Sequence, residues 1–230
     1  MKALEAKTRG DAGELYIYGA IGADLGYDDS VSAKSVASAL DSLKGVRSLS
    51  LYLNSPGGSV FDGLAIYNQL RRFPAAKTCF IDGLAASIAT VVMMGCDVVE
   101  AAPASLLMVH DPSGIAYGTA DDLRKAADDM DRFRAQMSAL YSIETGIAQD
   151  EVEAMMAKET WMTAEEAVDN GFVDRLGSTK AVTAHHPLLA RYKHTPEALR
   201  ATASRDYDPS LLRLAAAAAR VRLRRGLETP

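Results

Sequence analysis

Cysteine, histidine and tryptophan are scarce in this chain: two, four and one among 230 residues. Cys79 and Cys96 lie in apolar segments without metal-type or redox-type spacing, which argues against a disulfide scaffold and implies free thiols in a reducing compartment. Long hydrophobic runs are missing too. The stretch from Leu84 to Val109 is broken by Gly95, Asp97, Glu100 and Pro103, and Met1 to Gly13 lacks the apolar core of a signal peptide. A soluble, cytoplasmic protein with no membrane partner is expected. No phosphate loop of the GxxxxGK[ST] type occurs, so nothing suggests that the chain itself binds ATP, and no cofactor or metal is expected.

Charge is present but unevenly placed. The net charge is −5, yet residues 178–230 carry ten Lys/Arg against four Asp/Glu, leaving fifteen against twenty-six in residues 1–177. An acidic body argues against a nucleic-acid surface, because the basic excess is confined to a peripheral segment. The domain boundary is drawn there: residues 1–177 as one catalytic-sized domain, residues 178–230 as a basic Ala/Arg-rich tail with a helix from Ser210 to about Arg225.

Within the body, short apolar or alternating runs read as strands: Leu15–Gly19, Leu49–Leu53, Thr78–Ile81, Val98–Val99 and Leu106–Val109. Helical patterns alternate with them at Ala33–Leu43, Val60–Phe73 and Ala86–Met94, which predicts an α/β protein with parallel strands and crossover helices. From Thr119 to Thr145, Leu123, Ala127, Met130, Phe133, Met137 and Leu140 recur every three or four residues, the signature of one long amphipathic helix. Thr163 with Glu166 forms a capping pattern for another helix ending near Gly171, followed by a short strand Phe172–Asp174.

Three places carry candidate chemistry. In Asp82-Gly83-Leu84-Ala85-Ala86-Ser87-Ile88-Ala89, a serine sits among small residues between a strand and an apolar helix. A helix start offers free amides, so Ser87 is a candidate nucleophile and the Ile88 amide a candidate oxyanion donor; the plain alternative is a helix cap. His185, His186 and His194 lie in the tail, which leaves His110, at the end of Leu106–Val109, as the one imidazole of the body. With its ordinary pKa of about 6.5, a His110 base predicts activity falling near pH 6 to 7. Third, Asn54-Ser55-Pro56-Gly57-Gly58-Ser59 joins a strand to a helix through two glycines that let a backbone amide face a cleft.

Asn-Ser-Pro-Gly-Gly-Ser, then Ser87 twenty-nine residues beyond Gly58, then Leu-Met-Val-His, then Glu159-Thr160-Trp161-Met162-Thr163-Ala164-Glu165-Glu166-Ala167-Val168 with Gly171 and Asp174 resemble the successive motifs of the Clp protease proteolytic subunit (ClpP) family. The similarity runs from about Leu15 to Leu176. It implies the ClpP/crotonase-like fold of stacked β-turn-α units with a protruding handle helix, and a serine endopeptidase with Ser87 as nucleophile, His110 as base, and the Gly58 and Ile88 amides as oxyanion hole. The family's usual aspartate is matched here by Glu159, with Asp111 and Asp174 in reserve as the acid. The resemblance also implies extended peptide substrates along Ser59 and Val60 and along Ser113, Gly114 and Ile115, and homo-oligomerisation as seven-membered rings stacked in pairs.

Val60–Asn68 and Ile81–Ser87 look most like the Clp-type head-maturation proteases of phages and prophages, with capsid or scaffold proteins as substrates. The rival is the proteolytic subunit of an ATP-dependent Clp protease working with an ATPase unfoldase, which the short segment before Leu15 disfavours. Crotonase-type acyl-thioester chemistry shares the architecture but does not explain Ser87 and His110 together. A catalytically silent ring or scaffold is the reading from another class.

Overall fold

The computed structural model describes residues 2–22, 30–178, 187–197 and 199. Eight strands form one sheet: β1 (Leu4–Arg9), β2 (Ala12–Tyr18), β3 (Ser48–Ser55), β4 (Ala76–Ala86), β5 (Val98–Ala101), β6 (Leu106–Val109), β7 (Thr160–Thr163) and β8 (Arg175–Leu176). Among the described residues six helices accompany them: α1 (Ala33–Ser42), α2 (Val60–Arg72), α3 (Ile88–Met93), α4 (Ala120–Thr145), α5 (Gln149–Ala157) and α6 (Ala164–Asp169). The main path runs β1-β2-β3-β4-β5-β8, and β2 to β5 pair in parallel through helical crossovers, as the alternation of patterns predicts.

Strand β4 organises the molecule because it is long enough to serve two neighbours. Its first half, Thr78–Ile81, pairs with β5, and its last residues, Leu84–Ala86, pair with β6. Strand β7 then adds antiparallel to β6. Burial alternates along β2 and β3, with Leu15, Ile17, Leu49, Leu51 and Leu53 turned into the core. The opposite face carries a row of rings, Tyr16 stacked on Tyr52 at 4.6 Å and Tyr52 on Phe80 at 5.2 Å.

Several expected boundaries shift. The strand before Ser87 runs through Ala86, so the expected helix Ala86–Met94 begins only at Ile88. The strand expected at Phe172–Asp174 lies instead at Arg175–Leu176, since Phe172 and Val173 are core residues of the turn before it. β1, α5 and β7 are additional elements, too short or too polar to stand out by periodicity. Helix α4 forms with a complete Thr119/Asp122 capping box, but its apolar stripe is exposed at Leu123 and Ala127 and only part-buried at Met130 and Phe133. Met137 and Tyr141 are buried, whereas Leu123 is 47% exposed, so the first turns project from the body as a handle. No helix among the described residues is long and apolar enough to cross a membrane, and the expected helix Ser210–Arg225 lies outside them.

Candidate active site

Sheet register alone brings three distant residues together. Ala86 is paired with Met108 across parallel strands, so the residue after β4, Ser87, and the residue after β6, His110, emerge at the same end. Val109 is paired with Thr160 across the antiparallel β6/β7 ladder, so the residues one step further, His110 and Glu159, face each other. Short-range sequence cannot create this proximity; the ladder does.

Ser87 Oγ and His110 Nε2 are 2.8 Å apart, a direct hydrogen bond. Ser87 has φ 55° and ψ −132° and makes no side-chain cap bond, which removes the helix-cap alternative. Among the described residues, only Ser87 and Glu159 (φ 52°) are non-glycine residues with positive φ. Such conformations cost roughly 1–3 kcal/mol each, and here both occur at candidate catalytic positions.

The strained turn is held from three sides. The Ser87 amide donates to Met108 O at 2.8 Å, and Thr90 Oγ1 donates to Ser87 O at 2.6 Å. Gly57 (φ 86°) closes the third side: a Cβ there would lie 2.5 Å from Ala86 O and 2.7 Å from Ser87 Cβ, so only glycine permits this approach. Buried Ser55 sets the loop, accepting from the Gly57 amide at 3.1 Å and donating to Gly19 O at 2.7 Å. Gly58 forms a bridge with Ile21 through the neighbouring Gly57 carbonyl and Ser59 amide, leaving its own N–H directed away from that bridge. The Ile88 amide opens α3, where no intrahelical acceptor precedes it.

A cavity of about 770 Å³ opens over the dyad, lined by Gly58, Ser59, Val60, Ser87, His110, Ser113, Gly114, Ile115 and Glu159. Every site residue expected from the sequence therefore borders it except Ile88, whose side chain is buried beneath. Ser59 also caps α2 by accepting from the Asp62 amide. The stretch Ser113–Tyr117 is exposed and carries no sheet pairing. Of the reserve acids, Asp111 borders the cavity with a buried, unpartnered Oδ1, while Asp174 is removed from it, accepting from the Val99 amide at 2.7 Å.

Glu159 faces His110 but makes no hydrogen bond to it. Its oxygens accept instead from the backbone N–H of Lys193 (2.7 Å) and His194 (2.5 Å) and from Trp161 Nε1 (3.3 Å). Burial works to raise the Glu159 carboxyl, yet these donors and the nearby imidazole outweigh it and hold the group below the usual range. Burial pushes His110 down to about 4; Glu159 opposes this and Arg191 reinforces it. The midpoint near 6 to 7 expected from the ordinary histidine value therefore does not describe this conformation.

The two backbone donors to Glu159 belong to a segment whose composition marks it as a peripheral tail. Pro187–Arg191 make one 3-10 turn, and Leu189, fully buried among Leu84, Ala86 and Met108, contributes about 2 kcal/mol of apolar burial. Tyr192 donates to Pro56 O at 2.6 Å, and its ring stands edge-on to His110 at 4.9 Å between centroids. Nothing in the composition of residues 187–195 signals this return. His185 and His186 lie outside the described residues. Among the described residues no cluster of His, Cys, Asp and Glu suits a metal ion.

The family model described as Clp protease matches residues 20–180. The chain is 36% identical over 149 residues to ATP-dependent Clp protease proteolytic subunit 3 of Rhodococcus jostii, covering 63% of this chain and 73% of that one. It is 34% identical over 139 residues to the ATP-dependent Clp protease proteolytic subunit of Bacteroides fragilis, covering 60% and 67%. Among solved structures, a ClpP1 mutant from Listeria monocytogenes superposes with a TM-score of 0.62 at 21% identity, covering 72% of this chain and 91% of that one, which bears on the fold alone. With a family match across most of its length and a fold to go with it, the chain belongs to the Clp protease family of serine-type peptidases.

Proposed function

We propose that the protein is a serine endopeptidase in which Ser87 is the nucleophile and His110 the general base. The single observation that carries this reading is the 2.8 Å Ser87 Oγ–His110 Nε2 contact on a strained turn at the mouth of a cavity. His110 Nε2 takes the hydroxyl proton as Oγ attacks the substrate carbonyl, and the Gly58 and Ile88 amides receive the oxyanion. The imidazolium then protonates the leaving amine, the C–N bond breaks, and an acyl-Ser87 ester remains. Water, deprotonated by the same nitrogen, releases the acid and restores Ser87. Glu159, opposite His110 in the register, is the acid that stabilises the imidazolium once its carboxylate is free to turn. Substrate lies along Ser59 and Val60 on one side and Ser113, Gly114 and Ile115 on the other.

The test is intact-mass spectrometry after treatment with a fluorophosphonate, which transfers its phosphonyl group to an activated serine. One adduct on the native chain, absent from Ser87→Ala and His110→Ala, is the expected result. No adduct on any form would leave a silent ring or scaffold as the reading.

Assembly through α4 is part of the proposal, because the exposed start of its apolar stripe, Leu123 and Ala127, needs a cover that a second copy in a ring would supply. For the biological setting, the relatives' names favour a proteolytic subunit working with an ATPase, and the half-buried row Tyr16, Tyr52 and Phe80 offers an apolar platform for one. The phage capsid-maturation reading rests on the resemblance of Val60–Asn68 and Ile81–Ser87. Pull-down from a host extract separates the two: an associated ATPase supports degradation, and a scaffold or capsid protein supports maturation.

A further inference from the structure

Residues 187–195 touch both the candidate base and the candidate acid. Leu189 anchors the segment under β4 and β6, and Thr195 Oγ1 closes it by donating to Leu189 O at 2.8 Å. Between these points Tyr192 spans from the Pro56 carbonyl to the His110 ring, and the amides of Lys193 and His194 take one Glu159 oxygen each. His194 Nδ1 lies 3.0 Å from Lys158 O, so the strap also grips the residue before Glu159.

We propose that residues 187–195 are an autoinhibitory strap that holds the site latent by withdrawing Glu159 from His110 and covering the imidazole. The proposal rests on the serine-peptidase reading above. The Glu159 carboxylate accepts two backbone N–H groups and an indole N–H, so about three of its four acceptor sites are engaged away from the base, and no bond to His110 forms. Tyr192 and Arg191 border the cavity beside the dyad, where a substrate chain must pass between Gly58 and Ser113. The attachment is small enough to be reversible: two buried leucines, Leu188 and Leu189, and a few hydrogen bonds hold a segment whose residues Ala190, Arg191, Lys193 and His194 are exposed.

The same contacts, read the other way, would pre-organise the acid, and the two roles predict opposite signs. The experiment uses the full chain and two variants, Leu189→Asp and Tyr192→Ala, with two readouts. Trp161, the single tryptophan, bonds to Glu159 and lies 6.3 Å from the Tyr192 ring, so its emission reports strap docking. The rate of fluorophosphonate labelling reports Ser87. Release is expected to move Trp161 emission to longer wavelength and to speed labelling roughly tenfold or more, the factor for a competent state held to about a tenth of the population. Shifted emission with equal or slower labelling overturns the strap while leaving the peptidase reading intact. Unchanged emission in both variants also overturns it, because the strap is then not docked in solution. Labelling absent from every form sinks the peptidase reading itself, and the strap falls with it.

Discussion

Thr90 Oγ1 and Tyr141 Oη lie 2.6 Å apart in the dry core, and this contact ties the turn carrying Ser87 to the buried end of α4. Tyr141 is fully buried, so its hydroxyl depends on Thr90 for a partner. Thr90→Val should cost about 1–3 kcal/mol, because it leaves that hydroxyl unsatisfied as well as freeing the Ser87 carbonyl. Urea unfolding measures this; an unchanged midpoint would mean that the pair carries no weight.

Gly57 should tolerate no side chain. Gly57→Ala places a methyl against Ala86 O and Ser87 Cβ on a backbone with φ 86°. The loop must then back away by a displacement of the kind that costs about 100-fold in rate. Phosphonylation kinetics check this, with circular dichroism to confirm that the variant is folded.

Glu159 should matter most after the strap is released. In a Leu189→Asp background, Glu159→Gln is expected to slow labelling by roughly 10²–10⁴-fold, the scale for losing the acid of a serine triad. Glu159→Asp should retain a larger share, since charge is kept and only reach is lost. If Gln and Asp behave alike, the carboxylate charge is not used.

The pH profile carries a sign. With the strap docked, His110 is held down to about 4, so labelling of the native chain should stay level to lower pH than the ordinary histidine value allows before it drops. Tyr192→Ala admits water and should move the midpoint up toward about 6.5. Stability follows the same asymmetry. The unfolded chain takes up the His110 proton first, so stability from this group is complete above about 6.5 and is lost as pH falls toward about 4. Labelling rates and melting temperatures across pH 3.5 to 8 test both statements.

Much of the site was legible because its residues sit at ends of strongly patterned elements. The apolar runs Leu49–Leu53 and Leu106–Val109 mark the strands that deliver the glycine loop and His110, and the small residues before Ser87 mark a tight turn. The helix at Ala86 was misplaced because Ala-Ala-Ser has no strand signature; pairing with β6 decides it. The stripe on α4 was legible as a pattern but not as a surface, since periodicity records which face is apolar and not what covers it.

The α/β order, the serine and the single body histidine able to serve it are written along the chain, because local pattern and residue chemistry are carried by neighbours in sequence. That Glu159 stands opposite His110, and that its oxygens are taken by residues 193 and 194 instead, emerges only on folding. Register between strands fifty residues apart and backbone N–H groups, which every residue but proline possesses, leave no mark in side-chain sequence.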